Sequence, residues 1–154
     1  SRHVARRRAW LFDVDGTLAL RAPGGRGPYD WDRVHEDLPN EPVLAVARAL
    51  LDAGDELVFA SGRNVVCHDA TTDFITAHLH GRLSREVVKH SLYLRPDTDE
   101  WRYARDVDLK RHLFYVLIQP RFNVIAAFDD RNQVVDLWRN VVGIPCLQVS
   151  NGNF

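Results

Sequence analysis

Trp10-Leu11-Phe12 runs straight into Asp13-Val14-Asp15-Gly16-Thr17-Leu18, and no other stretch restricts what this chain can fold into so tightly. The apolar run reads as a buried strand, cut off by two acids at i and i+2. Residues two apart on a strand point to the same side, so Asp13 and Asp15 are expected to face together whatever lies beyond the strand end. Two carboxylates that close repel, and one pKa rises unless a cation or a hydrogen-bond donor intervenes. A hard cation with oxygen ligands, such as Mg2+, relieves that repulsion and also clamps a phosphate. The arrangement suits phosphoryl transfer: Asp13 attacks phosphorus, while Asp15 protonates the leaving oxygen and later activates water. A carboxylate nucleophile forming an aspartyl-phosphate is an established kind of covalent catalysis. Gly16 lets the chain turn sharply, and the Thr17 hydroxyl can bond a phosphate oxygen or a neighbouring carboxylate. The plainer alternative is a strand followed by an ordinary Asp-Gly turn.

The rest of the chain repeats this strand-then-polar pattern. Ala19 to Pro39 is dense in glycine and proline and reads as a loop, although Tyr29 and Trp31 argue that it packs on something. Its Arg26 is well placed to reach a phosphate, to which the planar guanidinium fork is suited. Glu41 to Ala53 has a helical period in Val43, Leu44, Ala47, Leu50 and Leu51, with Asn40 as a candidate cap and Gly54 as its end. Glu56 to Ala60 reads as a second buried strand stopping at Ser61-Gly62-Arg63. Ser61 would bond a phosphate oxygen, and Arg63 a phosphate or a second anionic group. Asp69 to His80 looks helical, and its histidines, with His68, read as surface residues and not as metal ligands. Ser91 to Leu94 is a third strand, followed by a polar loop from Arg95 to Arg102.

Leu109, Leu113, Phe114, Leu117 and Ile118 give a further amphipathic helix, in which Asp106 and Lys110 stand one turn apart. They form either a surface ion pair worth at most ~0.5 kcal/mol, or a functional pair with Lys110 in the phosphate pocket and Asp106 orienting a cation nearby. Asn123 to Phe128 is the clearest buried strand and ends in Asp129-Asp130, acids that could complete a Mg2+ site begun by Asp13. A helix over Gln133 to Asn140 and a last strand within Gly143 to Val149 close the pattern. Strand-helix-strand alternation predicts a parallel sheet, with its ligand site at the carboxyl ends of the strands.

The 154 residues, 45% of them hydrophobic, suffice for one domain with a substantial core, and a net charge of -1 makes no general demand for nucleic acid or a membrane. Arg2 to Arg8 carries four arginines and a histidine and reads as a basic tail or linker end over residues 1–8, ahead of a single domain over 9–154. Cys67 and Cys146 lack metal-ligand spacing and fit buried thiols in a reducing cytoplasm. No apolar run approaches the ~18 residues of a membrane span. The chain opens on Ser1 and contains no methionine, so a trimmed chain or a fragment of a longer one is expected.

Asp-x-Asp-Gly-Thr, then Ser61, Lys110 and Asp129-Asp130, occur in the order used by the haloacid dehalogenase superfamily of phosphatases, which the chain resembles from roughly Trp10 to Phe154. Several stretches are narrower: Gly25-Arg26-Gly27-Pro28-Tyr29-Asp30, Ser61-Gly62-Arg63, Asp106 with Lys110, Asp129 to Val135 with Trp138-Arg139, and the ending Cys146 to Phe154. Together they resemble the 3′-phosphatase domain of bacteriophage polynucleotide kinase-phosphatase, an end-healing enzyme. The resemblance implies Asp13 as nucleophile and Asp15 as general acid/base, with Arg26, Arg63 and Asp106 also essential. It implies Mg2+ held by Asp130, Asp13 and the Asp15 main-chain carbonyl, with Asp129 in support. Thr17, Ser61 and Lys110 would bind the transferring phosphate. The fold implied is a Rossmann-like three-layer α/β domain, with a parallel sheet of about five strands and a small loop insert in place of a large cap.

Such an open site would admit a polymer end, so the expected reaction is Mg2+-dependent removal of a 3′-phosphate from RNA or DNA, in a bacterial cell or a phage-infected host. A kinase domain in the same full-length chain is a candidate partner, the chain being either one half of a bifunctional enzyme or a free-standing phosphatase. Two alternatives stand beside this reading: a phosphatase of small substrates such as a nucleoside 3′-monophosphate, and a module that binds phosphorylated ends without turnover.

Overall fold

A computed structural model describes residues 6–154. In chain order the strands are β1 (Arg7–Phe12), the two-residue β2 (Ala19–Leu20) and β3 (Leu38–Pro39), then β4 (Glu56–Asn64), β5 (Leu92–Arg95), β6 (Phe122–Asp129) and β7 (Cys146–Gln148). Five of them form one parallel sheet in the order β5-β4-β1-β6-β7. The chain winds outward from β1 through β4 to β5, then crosses back to β6 on the other flank. The sheet is therefore wound in both directions about β1, and ligands bind at such a switch point, outside the carboxyl ends of the strands.

Helices α1 (Glu41–Asp52), α2 (His68–His78) and α3 (Arg85–His90) cover one face, and α4 (Asp106–His112) and α5 (Asn132–Asp136) the other. Strand side chains alternate between the two cores as the period of two requires. Leu11, Val58 and Ala60 enter the core with Leu109, Phe114 and Trp138. Phe12, Leu57 and Phe59 enter the other, with Leu44, Ile75 and Leu79. Phe12 stacks on Phe128 with ring centroids 4.4 Å apart, which adds about 0.5–1.5 kcal/mol to the burial of two rings directly beneath the acidic strand ends. This is the expected Rossmann-like three-layer fold.

Several boundaries differ from the sequence expectation. Of the basic stretch read as a tail, residues 2–5 lie outside the described residues. Arg7 and Arg8 belong to β1, where Arg7 pairs with Glu56 at 2.7 Å and stands over the Phe122 ring. β4 does not stop at Ala60 but carries Ser61, Gly62 and Arg63 to Asn64 in extended form, with a register irregularity against β5. β5 is shifted by one residue, so Arg95 is its buried last residue and not a loop residue. α4 and α5 run on as π-type turns over Leu113–Ile118 and Leu137–Val142, and β7 is confined to three residues. The insert after β1 is not a plain loop. It contains a 3-10 turn, Trp31–Glu36, and the β2–β3 ladder. Asn40 makes no side-chain cap to α1; its Nδ2 donates to the Thr17 carbonyl at 2.9 Å, tying the insert's exit to the turn after β1.

Among the described residues no helix is long and apolar enough to cross a membrane.

Candidate active site

Beyond Phe12 the strand ends and the chain coils, so strand geometry alone does not fix Asp13 and Asp15. The Asp13 backbone N–H still bonds the Phe128 carbonyl at 3.0 Å, which aims its side chain at α4. The Val14 carbonyl accepts from Thr17, Leu18 and Ala19, and Gly16 turns with φ +81°. Each aspartate meets its own cationic partners.

Asp13 is buried against Lys110. The Lys110 Nζ donates to Asp13 Oδ1 at 2.8 Å and to Asp129 Oδ2 at 3.1 Å, and the Thr17 hydroxyl donates to Asp13 Oδ2 at 3.0 Å. Lys110 makes no bond to Asp106, so the surface ion-pair reading is excluded. Instead Asp106 accepts from Arg95 at 2.9 Å and faces Arg131 at 3.6 Å, so the cations near it are guanidiniums. Asp129 is held by Lys110, by Trp138 Nε1 at 3.3 Å and by the backbone N–H groups of Asp130 and Arg131. With that many donors it is a fixed support beside Asp130.

Asp13, Asp129 and Asp130 bring carboxylate oxygens within 4.8 Å of one another; among the described residues no other cluster of His, Cys, Asp or Glu side chains does so. The histidines around α2 take no part. Burial, with the neighbouring Asp129 charge, pushes the Asp13 carboxyl well above its ordinary range, against the pull of Lys110. Burial raises Asp130 as well. Burial lowers the Lys110 ammonium, but Asp129 and Asp13 outweigh it and hold it charged. One ammonium facing three desolvated acids leaves an excess of negative charge, and the donors are all oxygen. That set fits a hard divalent cation.

Space at the cluster is set by Gly16, where an added Cβ would lie 2.0 Å from Asp130 Oδ2 in a left-handed backbone. Gly16→Ala is expected to cost about 1–3 kcal/mol and to displace Asp130; thermal melts with and without Mg2+ check it, the variant losing most of the Mg2+-dependent rise in Tm.

Asp15 has a half-exposed carboxylate and cationic partners of its own. Arg26 reaches Asp15 Oδ1 at 3.0 Å, and Arg63 reaches both of its oxygens, at 2.8 and 3.1 Å. Both arginines, expected to bind the phosphate, are buried, and their guanidiniums join a cluster of carboxylates. Sequence reasoning missed its organiser, Asp37. Asp37 accepts from Arg26 at 2.8 and 2.9 Å and from Arg63 at 2.6 Å, while Thr71 takes the far nitrogen of Arg63 at 2.9 Å. Asp37 lies in an insert without periodicity; the one available signal was that two arginines close together need a buried counter-charge. Asp37→Asn is expected to lower kcat/KM by roughly tenfold or more through loss of Arg26 and Arg63 alignment. Steady-state kinetics checks it, with Asp37→Glu recovering part of the loss.

Ser61 is fully buried, its hydroxyl accepting from the Arg63 N–H at 3.1 Å. Arg95, also missed, donates to the carbonyls of Gly62, Trp101 and Ala104 and so locks β4 to the α4 approach. Gly62 allows that approach, since a Cβ there would sit 2.3 Å from Asp106 Oδ1. At the end of β7, Gln148 donates to the Asp130 carbonyl at 3.0 Å, and beyond the strand Gly152 packs directly on it. Cys67 and Cys146 are buried free thiols; burial, with Asp129, pushes Cys146 up to about 11.

Comparison with known proteins gives the following. A family model described as the polynucleotide kinase PNKP phosphatase domain matches residues 7–154. A putative bifunctional polynucleotide kinase/RNA ligase of Autographa californica nuclear polyhedrosis virus is 37% identical over 136 residues, 87% of this chain and 18% of that protein. Among solved structures, a chain of the Pnkp1/Rnl/Hen1 complex superposes on all of this chain with a TM-score of 0.80 and 33% identity, and 50% of that chain is covered. A Pnkp1/Rnl/Hen1 RNA repair complex gives 0.80 and 32%, with 46% of its chain covered. The class C acid phosphatase from Bacillus anthracis with tungstate bound shares the fold alone, at a TM-score of 0.60 and 16% identity over 96% of this chain and 68% of that one. The present chain thus spans half or less of the relatives that it matches above 30% identity.

Proposed function

The chain belongs to the family of polynucleotide kinase PNKP phosphatase domains, and from that premise we propose that it removes the 3′-terminal phosphate of RNA or DNA, healing ends for ligation. It is a phosphatase of the haloacid dehalogenase type, and its chemistry is phosphoric monoester hydrolysis. The observation that carries the reading is the buried Asp13–Lys110–Asp129–Asp130 cluster, with Asp15, two residues on from Asp13, clamped by two arginines.

In this reading Asp13 attacks phosphorus. Thr17 and Lys110 hold its carboxylate in one rotamer, so little reorganisation is needed at the moment of attack. Lys110 also lies where it can neutralise a phosphoryl oxygen, with Ser61 as a further partner. The leaving 3′-oxygen takes a proton from Asp15, and Asp15 then removes a proton from the water that hydrolyses the aspartyl-phosphate. Arg26 and Arg63 orient Asp15, and an incoming phosphate offers both guanidiniums a second anionic partner. Asp106 steadies Arg95 and Arg131 at the site's edge. A Mg2+ ion would be held by Asp13, Asp130 and the Asp15 carbonyl with Asp129 in support, and would stabilise charge on the transferring group.

The insert after β1 is short, Ala19 to Pro39, and in this reading it leaves room for a polymer end. Relatives named for polynucleotide kinase, RNA ligase and RNA repair support RNA ends as substrate and a kinase or ligase module as partner in a longer chain. The test is phosphate release from a 3′-phosphorylated oligonucleotide, with Mg2+ and with a chelator, beside a 3′-mononucleotide. Mg2+-dependent release from the oligomer is expected. Release from the mononucleotide alone would replace this reading with a nucleotidase, and release from neither would remove the substrate class.

A further inference from the structure

One exposed feature beside the site has no part in the steps above: the aromatic pair Tyr29 and Trp31 on the insert. Tyr29 is 81% exposed, with no core to join. Trp31 is half-buried, its ring centroid 6.2 Å from that of Tyr29 in an edge-on arrangement at 85°. The Arg26 guanidinium stands 5.9 Å from the Trp31 centroid, within cation–π range, and the same guanidinium bonds Asp15 at 3.0 Å. Asp15, Arg26, Trp31 and Tyr29 thus form a contiguous path from the general acid outward to solvent. The loop that presents Tyr29 is pinned, with the Gly27 N–H on Asp30 Oδ2 at 2.9 Å and the Asp30 N–H on the Gly27 carbonyl at 3.2 Å.

The group that protonates the leaving oxygen must lie on the leaving group's side of the phosphorus, opposite the nucleophile. The path from Asp15 to Tyr29 therefore begins where the terminal nucleoside has to sit. A flat, largely exposed ring held at that end matches a nucleobase, and stacking of a base on an aromatic side chain tolerates any sequence. We infer that Tyr29, backed by Trp31, is a stacking platform for a base at the 3′ end of the substrate strand. This inference rests on the 3′-phosphatase reading and adds a specificity-determining element to it: the site selects a phosphate carried by a nucleoside over one carried by a bare sugar.

The test compares two oligonucleotides that differ only in the 3′-terminal phosphorylated residue, one a nucleoside and the other a tetrahydrofuran lacking a base. The wild-type chain is expected to prefer the base-bearing end in kcat/KM by at least about fivefold, mostly through KM. Tyr29→Ala should abolish that preference, and Tyr29→Phe should keep it, which a loss of loop structure alone would not produce. A preference that persists in Tyr29→Ala, or a wild-type chain with no preference, would overturn the inference while leaving the 3′-phosphatase reading intact. Failure of the wild-type chain to hydrolyse either end would instead overturn both.

Discussion

Replacing Asp13 with asparagine is expected to lower phosphate release by at least about a thousandfold while leaving the metal-free protein folded and at least as stable. The loss of activity follows from the role of the side chain: an amide nitrogen or oxygen cannot attack phosphorus as a carboxylate does, and no other acid occupies its place between Thr17 and Lys110. Stability should move the other way. Asp13 is desolvated beside Asp129 and Asp130, and its carboxyl is pushed well above the ordinary range. An amide of the same shape accepts from Lys110 and removes one charge from that crowded cluster. A catalytic group held at a cost in stability is common in active sites. Kinetics and thermal melts on the same preparation check both halves.

Lys110→Met is the second large effect, and it strikes folding and activity together. Lys110 is only 2% exposed, and among the described residues its ammonium is the single cation bonding both Asp13 and Asp129. Removing one partner of a buried ion pair leaves the other charge uncompensated, typically at about 3–5 kcal/mol. Here two carboxylates lose their partner, so the variant should be least stable in chelator and regain part of the loss in Mg2+, which supplies positive charge to the same acids. Its kcat should fall by about a hundredfold or more, as for loss of one preorganised donor to a developing negative charge. Lys110→Arg is not expected to rescue, because the broader guanidinium fork has no room where a compact ammonium meets two acids. Denaturation with and without Mg2+ separates this account from simple loss of packing, which would be blind to the metal.

The sequence and the fold agree best where local pattern alone determines structure. Apolar runs ending in Asp13, Ser61 and Asp129 announce parallel strands delivering polar groups to one edge, and the sheet does so. The order of the chain drew attention to Lys110, and the fold buries it against Asp13 and Asp129. What could not be read depends on contacts between distant segments. Asp37 lies 26 residues from Arg63 in an aperiodic insert, and its burial is visible only once α1 and α2 bring the insert down on β4. Arg95 looked like the start of a polar loop because a charged residue at a strand end usually faces water; here backbone carbonyls and Asp106 satisfy it. Because β1 ends at Phe12, the directions of Asp13 and Asp15 are set by partners from distant segments, Lys110 for one and Arg26 with Arg63 for the other, which the period of two does not foretell.

The most direct test of the central claim is to look for the covalent intermediate. The chain would be mixed with an oligonucleotide carrying radiolabelled 3′-phosphate and Mg2+, quenched in acid within the first turnover, and digested to locate the label. Label on the peptide containing Asp13, released by hydroxylamine and absent from Asp13→Asn, is the expected result. Rapid release of labelled phosphate with no protein-bound label at any quench time would contradict nucleophilic attack by Asp13.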